Sequence, residues 1–169
     1  MKKLIALILV AVMAVSMVAC GSKAADKAPL EGTMEENVMK IMEIAPVEFM
    51  GGAIPVDLAD NDSVFYFTGL SSAENITDVS VYEPMMGSQA FSLVMVRTAE
   101  GADPKAVAEE MKAGIDPRKW ICVGADEIMA AGYGDTVMLI MLDSQMGLSA
   151  QSYVAAFAQV AGAELDFTI

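Results

Sequence analysis

The pattern of hydrophobic and polar positions beyond Gly32 predicts that the fold begins with a helix. Apolar residues recur at helical spacing from Met34 onward, and Pro46 cannot continue a helix. Thr33 and Glu36 have the spacing of a capping box, in which each side chain bonds the other residue's backbone N–H. We therefore predict a helix that starts after Thr33 and ends before Pro46.

Residues 46–69 carry mixed secondary-structure signals. Residues 46–62 contain glycine and proline breakers and are predicted to be irregular. The segment 63–69 combines aromatic and β-branched residues, which fit a strand, with a final glycine, which fits a helix stop. We favour a short helix there, capped by Asp62 or Ser63.

The rest of the chain follows one plan twice, a hairpin and then a helix. In the first unit, strands at 79–82 and 91–97 flank a turn, and a helix runs from its N-cap Asp103 to Gly114. The second unit comprises a strand region at 121–123, a turn at 132–135, a continuous apolar strand at 137–142, a helix from Ser149 to Gly162 and a terminal strand at 165–169.

Hairpins make antiparallel pairs, and helices bury their apolar stripes against a sheet. We therefore predict an α+β domain with a four- or five-stranded antiparallel sheet. Its helices are expected to pack mainly on one face of the sheet, and the N-terminal helix precedes the two hairpin–helix units.

The N-terminal segment has the organisation of a secretory signal peptide. Lys2 and Lys3 precede an uncharged apolar run from Leu4 to Val18, which is shorter than the ~20 residues that a stable membrane-spanning helix needs. The sequence thus predicts three parts: a lipoprotein signal peptide (1–19), a lipidated tether (20–32) and a single α+β domain (33–169).

The segment Met17-Val18-Ala19-Cys20 resembles a bacterial lipobox, whose cysteine receives a diacylglycerol before cleavage. The resemblance implies that Cys20 is the lipid attachment site. The acylated N-terminus would then hold the protein in the lipid bilayer, on the extracytoplasmic face of the cell membrane. Two other interpretations stay open, an ordinary signal peptide with an incidental cysteine and an uncleaved N-terminal anchor.

Acidic residues dominate the charge of the chain. It has 10 Lys and Arg against 23 Asp and Glu, a formal net charge of −13, and loss of Lys2 and Lys3 with the signal peptide makes this −15. The charge argues against nucleic acid as a partner, because phosphates need cationic side chains. It permits a cationic or cell-wall ligand.

The absence of histidine limits the chemistry. It excludes Ser–His and Cys–His nucleophile pairs and most zinc and copper sites. With Cys20 acylated, Cys122 is the one thiol left, so no internal disulfide can form. We interpret Cys122 as a buried and unreactive side chain. We predict no cofactor, no metal and no catalytic residue.

One cluster of acidic residues has part of the composition of a calcium-binding loop. Asp57, Asp60 and Asp62 are rich in oxygen ligands, but Val64 stands where the next ligand is needed. A solvated acidic loop is the simpler interpretation.

The chain has 15 methionines, and thioethers can bind Cu(I). Met39 and Met42 can share a predicted helix face. Met138 and Met141 are three apart on a predicted strand, so they point to opposite faces. Met85-Met86 lies in a predicted turn and can form an exposed apolar tip. Core filling explains most of the methionines better than a metal site does.

Residues 33–143 resemble a family of uncharacterised lipoproteins from Gram-positive bacteria, the domain-of-unknown-function 4358 family. The resemblance rests on an ordered set of features: the N-terminal helix, a short segment ending in Gly69-Leu70, the hairpin from Val79 to Arg97, the helix from Asp103 to Ile115, and the segment Ile121–Asp143 with its Gly-Tyr-Gly-Asp turn. It implies no activity, cofactor or catalytic residue.

These observations favour a membrane-anchored ligand-binding or accessory domain rather than an enzyme. One alternative is a carboxylate-dependent cell-wall hydrolase, which needs convergent carboxylates with perturbed pKa values in a concave pocket. The other is a protein-interaction module at the cell surface that displays its sheet or its Met85-Met86 turn. An exposed apolar patch marks such a module.

Overall fold

One antiparallel sheet organises the part of the chain that the computed structural model describes, residues 27–169. Its six strands are, in chain order, β1 (Gly51–Pro55), β2 (Ile76–Pro84), β3 (Phe91–Thr98), β4 (Glu127–Tyr133), β5 (Thr136–Leu142) and β6 (Phe167–Thr168). They lie in the order β1-β2-β3-β5-β4-β6. The predicted signal peptide, Cys20 and the tether up to residue 26 lie outside the described residues.

Four helices and one short 3-10 turn connect these strands. They are α1 (Met34–Ile44), α2 (Asn61–Thr68), α3 (Pro104–Gly114), α4 (Ala150–Ala161) and the 3-10 turn Ser144–Met146. The predicted capping box of α1 is confirmed, and Asp103 caps α3 as predicted. The short helix at 63–69 is confirmed too, but its cap is Asp60, whose side chain accepts bonds from the two N–H groups where the sequence suggested a cap.

The α+β class is confirmed, and the arrangement of layers differs from the prediction. The sheet has six strands rather than four or five, and helices cover both of its faces rather than mainly one. Helices α1 and α4 pack on one face, α2 and α3 on the other. The reason lies in the central strands: every residue of β5 is buried, so each face of the sheet needs an apolar cover.

Two predictions about strands were wrong, one that missed a strand and one that placed a strand too early. Strand β1 lies in the stretch predicted to be irregular, because an edge strand tolerates the glycines and Pro55 that the pattern reads as breakers. Residues 121–123 form no strand, since Cys122 has a left-handed backbone with φ of 62°, and β4 begins only at Glu127.

The N-terminal end of the described chain is fixed at one end of the sheet, beside the β4–β5 turn. Lys27 forms an ion pair with Asp166 at 2.6 Å, and Arg97 donates a hydrogen bond to the carbonyl of Gly32 at 3.0 Å. The β2–β3 turn lies at the other end of the sheet. No helix within residues 27–169 has the length and apolar character needed to cross a membrane.

Candidate interaction surface

Four exposed apolar residues lie on neighbouring segments at the end of the sheet where β2 turns into β3. Met50, Met85, Met86 and Ile121 are 66–74% exposed. The N–H of Met85 donates to the carbonyl of Met50 at 2.9 Å, and the N–H of Ile121 donates to the carbonyl of Gly87 at 2.9 Å. These bonds join three separate segments, and we call the four side chains the methionine end.

Strand register explains why this surface is uncovered. The bond between Met85 and Met50 continues the β1–β2 pairing by one step, so both side chains leave the same face of the sheet. Ile54 lies on that face too and is also exposed, while Gly52 between them has no atom within 4 Å of the position of a Cβ. The outer part of this face therefore carries no helix.

A buried ion pair lies directly under the methionine end. The ammonium of Lys119 is 2.5 Å from Oε1 of Glu83, and the Lys119 side chain is only 2% exposed. The hydroxyl of Ser92 donates to the same carboxylate oxygen at 2.8 Å. The ammonium also lies 3.4 Å from the Ser92 hydroxyl and 3.5 Å from the carbonyl of Tyr66. These contacts fix the loop before Ile121 onto strands β2 and β3.

Three aromatic rings surround the same ammonium. Its nitrogen lies 4.7 Å from the ring centroid of Tyr66, 5.2 Å from that of Phe67 and 5.5 Å from that of Trp120. Such cation–π contacts are strongest where water is excluded. Burial lowers the pKa of Lys119, and the charge of Glu83 offsets part of that effect. The arrangement holds a cation in an apolar site by one carboxylate and a ring cage.

The acidic cluster weighed as a calcium loop has structural roles instead. Asp60 caps α2, and Asp57 accepts a bond from the N–H of Ala59 at 2.9 Å. Within residues 27–169, no group of three or more acidic or cysteine side chains is arranged to hold a metal ion.

Carboxyl groups with shifted pKa values are the signal that the hydrolase hypothesis needs. In the described part of the chain these are Asp60, Glu110 and Asp126, and hydrogen bonds from serine hydroxyl and N–H groups lower each pKa. A general acid needs a raised pKa in a closed cleft. An open groove of ≈440 Å³ has Glu48 as its carboxylate, and in another of ≈460 Å³ Asp135 and Asp166 are paired with Arg97 and Lys27. Neither observation supports hydrolysis.

The prediction that Cys122 is buried was wrong, because its thiol is exposed on the loop that follows the ion pair. Among the methionines, Met138 and Met141 lie on opposite faces as predicted, each in a different core cluster. The exposed Met85-Met86 tip is confirmed. Met39 and Met42 are neighbours on α1, three residues apart, and Met39 is exposed whereas Met42 is buried in the core.

Sequence reasoning found the hairpin tip but missed its neighbours. Met50 and Ile121 carry no local signal, since each becomes part of the surface only through long-range pairing. Lys119 and Glu83 were also missed. The sequence contains one signal for this site: Lys119 directly precedes Trp120, the only tryptophan of the chain.

Comparisons with models of known protein families, with curated proteins and with solved structures find no match to this chain. The resemblance to Gram-positive lipoproteins therefore stays a prediction.

Proposed function

We propose that this chain is a lipid-anchored extracytoplasmic interaction module, an accessory domain that presents the methionine end to a protein partner. The observation that carries the proposal is that Met50, Met85, Met86 and Ile121 are all 66–74% exposed on segments joined by backbone hydrogen bonds. Single exposed apolar residues are ordinary, whereas contiguous ones mark interaction sites.

The position of the methionine end supports a partner away from the membrane. The described chain begins beside the β4–β5 turn, at the opposite end of the sheet. Strand β3 alone spans eight residues. At about 3.3 Å a residue this separates the two ends by roughly 25 Å. A tether that enters at Lys27 holds the methionine end on the far side of the domain.

Charge selects the kind of partner. The chain without its signal peptide carries −15, so a second copy and an anionic bilayer are both repelled. Beside the methionine end the carboxylate of Glu83 is compensated by Lys119, so the choice of partner follows from the net charge of the chain. We therefore propose a partner segment that combines apolar side chains with lysine or arginine.

An amphipathic leucine–lysine peptide serves as the probe of this proposal. The full-length protein in nanodiscs of neutral lipid is expected to bind it more tightly than the leucine–glutamate counterpart, as measured by fluorescence anisotropy. Replacing Met85, Met86 and Ile121 together by serine is expected to lower the affinity at least about tenfold, since apolar anchors dominate interface energies.

The chain offers a matched control on α1. Met39 and Ile44 are also exposed, at 43% and 42%, and lie outside the methionine end. Their replacement by serine is expected to leave peptide affinity unchanged. If the triple variant binds the leucine–lysine peptide as the parent does, the attraction is non-specific and the proposal is wrong.

The anchor has a separate test that uses the two cysteines. Cells grown with an alkyne-bearing fatty acid are expected to label the parent protein and a Cys122→Ala variant equally. A Cys20→Ala variant is expected to lose the label, because its thioether-linked diacylglycerol cannot form and the amino-terminal acylation follows it. Full labelling of Cys20→Ala would remove lipidation from the proposal and leave the methionine end unaffected.

A further inference from the structure

The methionines at the methionine end are separated by exposure from those of the core. Of the 15 methionines, 12 lie within the described residues. Met50, Met85 and Met86 are 66–74% exposed, whereas those at 34, 42, 95, 111, 138 and 141 are 7% exposed or less. Three accessible thioethers thus lie together on the one surface proposed to bind a partner.

We propose that Met50, Met85 and Met86 form an oxidation site through which a two-electron oxidant, such as hydrogen peroxide, switches off binding at the methionine end. This inference rests on the proposed function. A domain outside the cytoplasmic membrane is the first to meet such oxidants, and the three most exposed methionines within residues 27–169 belong to the methionine end.

The chemical step is oxygen transfer to sulfur. A lone pair of the thioether sulfur attacks one peroxide oxygen, the S–O bond forms and the O–O bond breaks. The leaving hydroxide takes the proton from the oxygen now bound to sulfur and departs as water. Sulfur loses two electrons and the peroxide gains them, so one methionine and one peroxide give one sulfoxide and one water. Sulfoxide reductases reverse the change.

The fold predicts what the sulfoxide does. Oxidation turns an apolar side chain into a polar one, which lowers the free energy gained when it is buried by a partner. The side chains of Met85 and Met86 project into solvent from a turn, so their oxidation removes little contact from either core cluster. Binding is therefore lost while the fold is kept.

The first readout is the order of oxidation, mapped by peptide mass spectrometry of the full-length protein at limiting peroxide. Met50, Met85 and Met86 are expected to oxidise at least about tenfold faster than the buried methionines, which react only after local opening. Equal rates at Met85 and at buried Met138 would overturn the site.

The second readout is binding of the leucine–lysine peptide before and after oxidation of each protein. The parent is expected to lose affinity at least about tenfold and to regain it after treatment with sulfoxide reductases. A variant with leucine at positions 50, 85 and 86 is expected to show no change on oxidation, whatever its starting affinity. A Met39→Leu variant is expected to respond as the parent does.

The outcomes separate the two proposals. If the untreated parent binds the peptide at the methionine end and peroxide leaves that binding unchanged, the oxidation switch is wrong and the interaction module stands. If the leucine variant loses binding on oxidation as much as the parent, the affected groups lie elsewhere and the switch is again wrong. If the untreated parent does not bind at all, both proposals fail.

Discussion

Replacing Glu83 by glutamine is expected to lower the free energy of unfolding by about 3 kcal/mol at neutral pH, the low end of the range for a broken buried ion pair. The substitution keeps the shape of the side chain and removes the charge that compensates Lys119. Glu83 is the carboxylate 2.5 Å from the Lys119 ammonium, which has almost no access to water. Urea denaturation measures this loss of stability, and the fluorescence of Trp120, which lies beside Lys119, reports the unfolding.

The cost of Glu83→Gln is expected to shrink as the pH rises. Burial already lowers the pKa of Lys119 below its usual value of 10.5, and loss of Glu83 lowers it further. Between the lowered pKa and 10.5 the folded variant binds fewer protons than the unfolded chain, so its stability increases with pH. A gap between parent and variant that stays constant up to pH 10 would contradict a charged, uncompensated Lys119.

Two further variants serve as controls for the ion pair. Adding Lys119→Met to Glu83→Gln removes the stranded charge, and the double variant is expected to recover most of the lost stability. Lys27→Met breaks the partly exposed pair with Asp166 and is expected to cost only about 0–1 kcal/mol. If Lys27→Met and Glu83→Gln cost a similar amount of stability, burial does not make the Lys119–Glu83 pair more important than an exposed pair.

The second large effect is expected at Gly69. Its φ is 77°, and a Cβ there would lie 2.6 Å from the backbone carbonyl oxygen of Met111. Alanine therefore meets two costs, about 1–2 kcal/mol for the left-handed backbone and about 1–3 kcal/mol for overpacking against α3. We expect Gly69→Ala to lower the free energy of unfolding by roughly 2–5 kcal/mol in urea.

Gly101 supplies the matched control for this substitution. Its φ is 83°, close to that of Gly69, but no atom lies within 4 Å of the position of its Cβ. Gly101→Ala is therefore expected to cost only the backbone part, about 1–2 kcal/mol. Equal losses for the two variants would mean that the close contact between the end of α2 and the end of α3 does not constrain the fold.

The sequence predicted most of the elements because their signals are local. The Thr33–Glu36 box, the Asp103 cap and the apolar run of β5 each act within a few residues, and all three were confirmed. The run from Val137 to Leu142 in β5 is apolar at every position, which by itself predicts a central strand that is covered on both faces. The prediction that helices pack mainly on one face was wrong because it did not follow from this apolar run.

The candidate site could not be predicted because its residues are far apart in the sequence and meet only in the folded chain. Glu83 and Lys119 are far apart in sequence, and their pairing depends on how the loop after α3 lies across β2 and β3. Cys122 was misjudged for a related reason. Apolar neighbours suggested burial, but the chain turns through a left-handed residue there and leaves the thiol in solvent.

The most direct test of the methionine end as a docking surface is hydrogen exchange of the full-length protein with and without the leucine–lysine peptide. Protection is expected in residues 84–90 and 119–123, which carry the Met85-Met86 turn and Ile121, and not around the β4–β5 turn at Gly134. Protection spread over helices α1 to α4, or confined to the Gly134 end, would contradict the methionine end as the binding surface.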